Sequence, residues 1–148
     1  QNGLAEDGHI TCIDTFFGGE EHHEKQLDLT DLRKRFDNNI AEAKKPTQTI
    51  SVIANPSYEG LAECITKDRQ FDFIYVDGSH TAPDVLTDAC MAFGMLKVGG
   101  VMLFDDYFWI DVPHILHRPK IAIDTFVNLF CELCEPVVVG HQVGIRKI

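Results

Sequence analysis

The chain has 148 residues, of which 45% are hydrophobic, and a formal net charge of −10 at pH 7. That length and apolar content exclude a disordered polymer and suit one domain with a real core. The acidic balance excludes a nucleic-acid surface of clustered Lys and Arg, and no apolar run nears the ~20 residues of a membrane span. A small neutral or cationic partner, or a metal ion, fits better.

No signal peptide is visible, and the sequence opens at Gln1 rather than Met, so an earlier start is expected. Five cysteines, an odd number, fall mostly within predicted helix and strand interiors. They read as reduced, buried thiols in a cytoplasmic protein. Cys131 and Cys134 form a CxxC without a second pair at zinc-site spacing, so core packing is their expected role.

Residues 1–8 read as the tail of a helix and the turn out of it. Residues 9–16 (HITCIDTF) read as a first strand ending near Asp14. Gly18, Gly19, Glu20, Glu21, His22 and His23 then make a loop. A helix is predicted over 29–43, with Leu29, Leu32, Phe36, Ile40 and Ala43 on one face. Lys44, Lys45 and Pro46 end it, with cations favoured at the negative end of the helix dipole.

The second strand is TISVIA, residues 49–54, stopped by Asn55-Pro56, and Ser57 is the expected cap of a helix over 58–66. FDFIYV, residues 71–76, reads as a buried strand climbing to Asp77, with His80 three residues beyond. Residues 82–96 read as a helix, with Val85, Leu86, Ala89, Ala92, Phe93 and Leu96 as its apolar positions. A glycine pair leads into VMLF, a strand that climbs to Asp105 and Asp106. Strand, helix and strand in this order predict two parallel neighbours whose carboxyl ends share one sheet edge, where open α/β folds bind ligands.

Tyr107, Phe108 and Trp109 open an aromatic loop. A helix is predicted from Pro119 to near Glu135, with Ile121, Phe126, Leu129, Phe130 and Leu133 as its buried face. Residues 137–140 and 143–148 fit an antiparallel hairpin. The order β-α-β-α-β-α-β-α-β-β predicts an α/β fold: a doubly wound, mostly parallel sheet with an antiparallel edge strand.

Asp14 ends a strand with no Lys or Arg beside it. In nucleoside-binding folds such a carboxylate accepts both ribose hydroxyls; the plainer alternative is an exposed strand-end aspartate. Asp77, Asp105 and Asp106 should lie within several ångströms of one another. Anions that close repel unless a cation sits between them, and oxygen-only ligation suits a hard ion, Mg²⁺ before Ca²⁺. Against that, the three aspartates could cap helices and line an ordinary cleft. The pairs His22–His23 and His114–His117 lack further ligands nearby in sequence, so a metal is not expected at either.

The order of elements, the acidic strand end at Asp14, the FDFIYVDGSH and LKVGGVMLFDDY segments and the closing hairpin resemble class I S-adenosylmethionine-dependent methyltransferases. The likeness is strongest to small-molecule O-methyltransferases of the macrocin and catechol types and covers nearly the whole chain. It implies a Rossmann-like fold with the family's first strand and glycine-rich loop absent. That strand lies mid-sheet in the family, between those ending here at Asp14 and Asp77, and its loop carries the methionine part of the cofactor. Gly18-Gly19 follows the acidic strand end and does not replace the loop. A single N-terminally incomplete domain over 1–148, from a truncated reading frame or a fragment, is therefore expected.

The resemblance implies that Asp14 binds the cofactor ribose and that Asn55 and Ser57 touch the adenine, although a turn and a helix cap also account for those two. It assigns Asp77, Asp105 and Asp106 to magnesium, and Asp77 also to the catalytic and cofactor-binding sets. Asp106 is closer to the macrocin type than to the catechol type, which has asparagine there. His80 stands where the catechol type has a lysine base. With an ordinary pKa of about 6.5 it could take a hydroxyl proton, or it could simply bond Asp77 or cap the helix. The aromatics 107–109 form either a wall for an apolar acceptor or packing against the last helix. The implied activity is Mg-assisted O-methylation of a small hydroxylated molecule, without nucleic acid or membrane as partners. The alternatives are a non-catalytic module that pairs with its own copies, and a nicotinamide-dependent oxidoreductase, since Asp14 fits a ribose in either fold.

Overall fold

The computed structural model describes residues 5–19, 23, 26–110 and 114–148. Gln1 to Leu4 of the predicted helix tail, and Glu20, Glu21 and His22 of the loop, lie outside the described residues. The chain divides into two compact units, Gln1–Gly60 and Leu61–Ile148.

In the first unit, β1 (His9–Ile13) and β2 (Thr49–Ile53) pair in parallel, with Ile13 opposite Ile53. Between them runs α1 (Leu32–Ala43), three residues shorter at its start than the apolar spacing predicts. Leu29 instead accepts the Leu32 N–H in a preceding turn. The predicted face does pack: the Phe36 ring meets Phe16 edge-on at 5.2 Å, and the Arg33 guanidinium lies 4.8 Å from the Phe16 ring centre. Ala43 is exposed. Ser57 is the first residue of α2 (Ser57–Thr66) rather than the residue ahead of it, and the Pro56 carbonyl accepts the Glu59 and Gly60 N–H groups.

The second unit is a four-stranded sheet of β3 (Phe71–Val76), β4 (Leu96–Phe104), β5 (Cys134–Val139) and β6 (Val143–Lys147), in the order β3-β4-β6-β5. β3 and β4 are parallel; β6 runs antiparallel to both β4 and β5. The antiparallel strand β6 is therefore interior, and β5 is an edge strand beside it. The sequence carries the reason: Val143, Gly144 and Ile145 of β6 are buried, whereas β5 holds Pro136, which cannot donate to a ladder, and exposed Val137, Val138 and Val139.

One face of this sheet carries α3 (Ala82–Met95) and α4 (Pro119–Leu129), with a 3₁₀ turn at Ile115–His117. Ala89 and Phe93 of α3, Ile123 and Phe126 of α4, Met102 and Phe104 of β4 and Ile145 of β6 form the centre of the core. The last helix stops six residues short of its predicted end at Glu135. Pro136 disfavours helical backbone at Glu135, and the valines that follow favour a strand. Leu129 and Leu133 are accordingly exposed, not buried. Of the five thiols, Cys90 and Cys131 are also exposed. Among the described residues, no helix is long and apolar enough to cross a membrane.

The glycine pair ahead of VMLF has a specific task. Phe71 pairs with Leu96 and Phe73 with Val101, so β4 must absorb extra residues between them. Gly99 supplies a φ of 82°, and a Cβ on Gly100 would sit 2.9 Å from the Lys97 carbonyl oxygen and 3.0 Å from that of Asp72. Both are backbone atoms that cannot swing aside. Gly100→Ala is expected to destabilise the protein by roughly 1–3 kcal/mol, read from the urea midpoint at unchanged slope.

Candidate active site

Parallel pairing with Val76 opposite Phe104 makes the next residue of each strand, Asp77 and Asp105, neighbours on the carboxyl edge of the second unit. The Asp105 N–H continues the ladder to the Val76 carbonyl at 3.1 Å. Partial burial, then the charges of Asp105 and Asp106, raise the pKa of Asp77, while His80 opposes them. The three predicted carboxylates thus act on one another.

Each of the other two is already engaged. Asp105 Oδ2 accepts the Tyr75 hydroxyl, and Oδ1 accepts the Asp106 N–H at 2.9 Å and the Gln142 side-chain amide at 3.2 Å. The Tyr75 hydroxyl, foremost among these donors, lowers the Asp105 pKa. Asp106 adopts a left-handed φ of 54°, a conformation Asp tolerates better than most residues, and its Oδ2 lies 2.8 Å from His80 Nε2. An ionised carboxylate only accepts, so the imidazole donates to Asp106 through Nε2. The imidazole stacks on Trp109, centroids 4.3 Å apart at 13°. As a structural residue His80 was expected to bond Asp77 or cap the helix; its Nε2 instead meets Asp106.

Asp105, Asp106, Phe108, Trp109, Ile110 and His141 line a cavity of about 180 Å³. Tyr107 turns away from it: its hydroxyl donates to Asp124 Oδ1 at 2.7 Å and accepts from Lys120 Nζ at 2.5 Å, pinning it to α4. The aromatic triplet therefore splits, with Tyr107 packing on the last helix and Phe108 and Trp109 facing the cavity.

Among the described residues, no three His, Cys, Asp or Glu side chains already converge closely enough to hold a metal ion, the carboxylate rim included. The donor chemistry still fits a hard dication: the set is all oxygen, anionic and mutually repulsive at Asp77. His114 and His117 meet edge-on at 5.5 Å, and His23 is exposed.

In the first unit, Asp14 and Asn55 follow the ends of β1 and β2 and so share one sheet edge. Asp14 Oδ1 accepts the Phe16 N–H at 2.7 Å, which fixes the carboxylate while leaving it further acceptor sites. Asn55 is exposed in the turn after β2, and Ser57 opens α2.

The raised pKa of Asp77 predicts a pH-dependent stability. An unfolded Asp titrates near pH 3.9, so between that and the higher folded value the native state binds more protons and stability falls as pH rises. Without divalent ions, Asp77→Asn should raise the melting temperature at pH 7, and the gain should vanish below about pH 4. Thermal melts across that range would show it; a gain independent of pH would contradict the stated cause.

Residues 1–107 match a family model described as a methyltransferase domain. No curated protein matches the chain. Among solved structures, a protein from Corynebacterium glutamicum is 17% identical with a TM-score of 0.66, covering 99% of this chain and 63% of its own. The methyltransferase MycE of the mycinamycin pathway, solved with Mg, SAH and mycinamycin VI, is 17% identical with a TM-score of 0.57, over 94% of this chain and 45% of its own. The O-methyltransferase NovP is 15% identical with a TM-score of 0.67, over 94% and 60%. At such identities the likeness is one of fold, here Rossmann-like, and the present chain spans 45–63% of the length of these three.

Proposed function

Because the chain belongs to the methyltransferase-domain family, we propose that the protein transfers a methyl group from S-adenosylmethionine to a hydroxyl oxygen of a small molecule, assisted by Mg²⁺. The observation that carries this reading is the adjacency of Asp77 and Asp105 at parallel strand ends, with Asp106 and His80 beside them. The MycE structure, solved with Mg, SAH and mycinamycin VI, supports the same combination of ligands. The nicotinamide alternative shares Asp14 but not the family match. We take 1–148 as part of one methyltransferase-like domain.

S-adenosylmethionine supplies a methyl group on a sulfonium, and a divalent ion, when bound, supplies a Lewis acid that lowers the pKa of a hydroxyl. The chain's own residues divide the remaining work. Asp14 offers carboxylate oxygens to the ribose hydroxyls, and Asn55 with Ser57 borders the adenine. Asp77, Asp105 and Asp106 hold the ion through oxygen atoms. His80, held against Asp106 and with its ring on Trp109, is the base that receives the hydroxyl proton. Phe108, Trp109 and Ile110 exclude water around the acceptor.

The test is transfer of labelled methyl from S-adenosylmethionine to a panel of small hydroxylated molecules, with Mg²⁺ or with EDTA. The reading expects product only with the ion; equal product in EDTA would remove the metal from it. Self-association is a second reading, favoured by exposed Val138 and Val139 on β5, an edge of its sheet. Light scattering that gives a monomer mass would oppose it.

A further inference from the structure

Asp105 is the most heavily hydrogen-bonded of the rim carboxylates. Three donors converge on it from three places in the fold: the Tyr75 hydroxyl from β3, the Gln142 amide from the turn between β5 and β6, and the Asp106 backbone N–H. Gln142 Nε2 also lies 3.2 Å from the Tyr75 hydroxyl oxygen, and an amide carries two hydrogens, so it can serve both partners at once. An ionised carboxylate has about four lone-pair directions. Three are taken here, which fixes how the carboxylate faces the rim.

The interior position of β6 explains why Gln142 can do this. Phe104 pairs with Val143, so the residue after one strand meets the residue before the other. The turn itself is tied down: the Gly140 N–H bonds the Gln142 carbonyl at 2.9 Å, and the Tyr107 N–H bonds the His141 carbonyl at 3.0 Å. Tyr75 pairs with Leu103, two residues before Asp105, so its side chain leaves β3 on the side that Asp105 continues. The residue is 44% exposed, so burying apolar surface does not account for its place.

We propose that Tyr75 and Gln142 are positioning residues that hold the Asp105 carboxylate in the orientation a divalent ion requires. The inference rests on the metal-holding reading of the rim. Groups that orient a metal ligand from behind typically change metal affinity by about 10–100-fold.

Mn²⁺ serves as the probe, titrated by the paramagnetic signal of the free ion into wild type, Tyr75→Phe, Gln142→Leu and the double variant. Each single variant should weaken Mn²⁺ affinity by about 10-fold, at a melting temperature close to that of wild type. The double variant should lose less than the product of the two, because both groups act through one carboxylate. A purely structural role would move the melting temperature and leave the coupling absent. Wild-type affinity in both single variants overturns the proposal. A wild type that binds no Mn²⁺ overturns the metal reading itself, and the inference with it, and the wild-type titration alone tells the two failures apart.

Discussion

Asp105→Ala is expected to lower Mg²⁺-dependent methyl transfer by roughly 10²–10³-fold while the protein stays folded. Several kcal/mol of charge stabilisation at a metal correspond to that factor, at 1.36 kcal/mol per decade. Asp105 is the rim carboxylate whose donors keep it ionised, and it is the nearest neighbour of Asp77 across the strand pair. Removing it takes one anionic group from the rim and leaves three donors, the Tyr75 hydroxyl, the Gln142 amide and the Asp106 N–H, without that acceptor. The folding loss should therefore stay within about 1–3 kcal/mol, at about 1 kcal/mol for each of these hydrogen bonds. Asp105→Asn keeps the shape and removes the charge, so a loss nearly as large would identify charge rather than packing as the cause. kcat/KM measured against Mg²⁺ concentration, with a thermal melt of each variant, separates the two.

Phe126→Ala should have the largest effect on stability. The side chain is fully buried on α4, stacked on Phe130 at 4.6 Å and within 5.5 Å of the rings of Phe93 and Phe104. It thus joins both helices to the central strand. Truncating a buried phenylalanine costs about 3–5 kcal/mol, a large part of the 5–15 kcal/mol that holds a domain together. Leu129→Ala, three residues on, should change stability by less than about 0.5 kcal/mol, because Leu129 is 70% exposed. Urea unfolding of the pair distinguishes the observed end of α4 from a helix running on to Glu135.

That contrast marks where the sequence could be read and where it could not. The alternation of strand and helix was legible, because each element carries its own periodicity, and the carboxylate rim followed from strand–helix–strand connectivity alone. The end of α4 was not, because apolar spacing continues through Leu129 and Leu133 and only Pro136 argues against it. The insertion of β6 between β4 and β5 is a long-range choice set by which hairpin strand can be buried on both faces. Gln142 was therefore invisible at Asp105, since nothing local links positions 37 residues apart. Tyr75 was within reach: its strand pairs with the one that climbs to Asp105, and side chains two apart on a strand share a face. The bond from His80 to Asp106, in place of Asp77, depends on the left-handed turn at Asp106, which no pattern announces.

Calorimetric titration of Mg²⁺ into protein saturated with S-adenosylmethionine tests the central claim most directly. The account predicts a saturable one-site heat that disappears in Asp105→Ala. A flat trace from wild-type protein that has demonstrably bound the cofactor would contradict it.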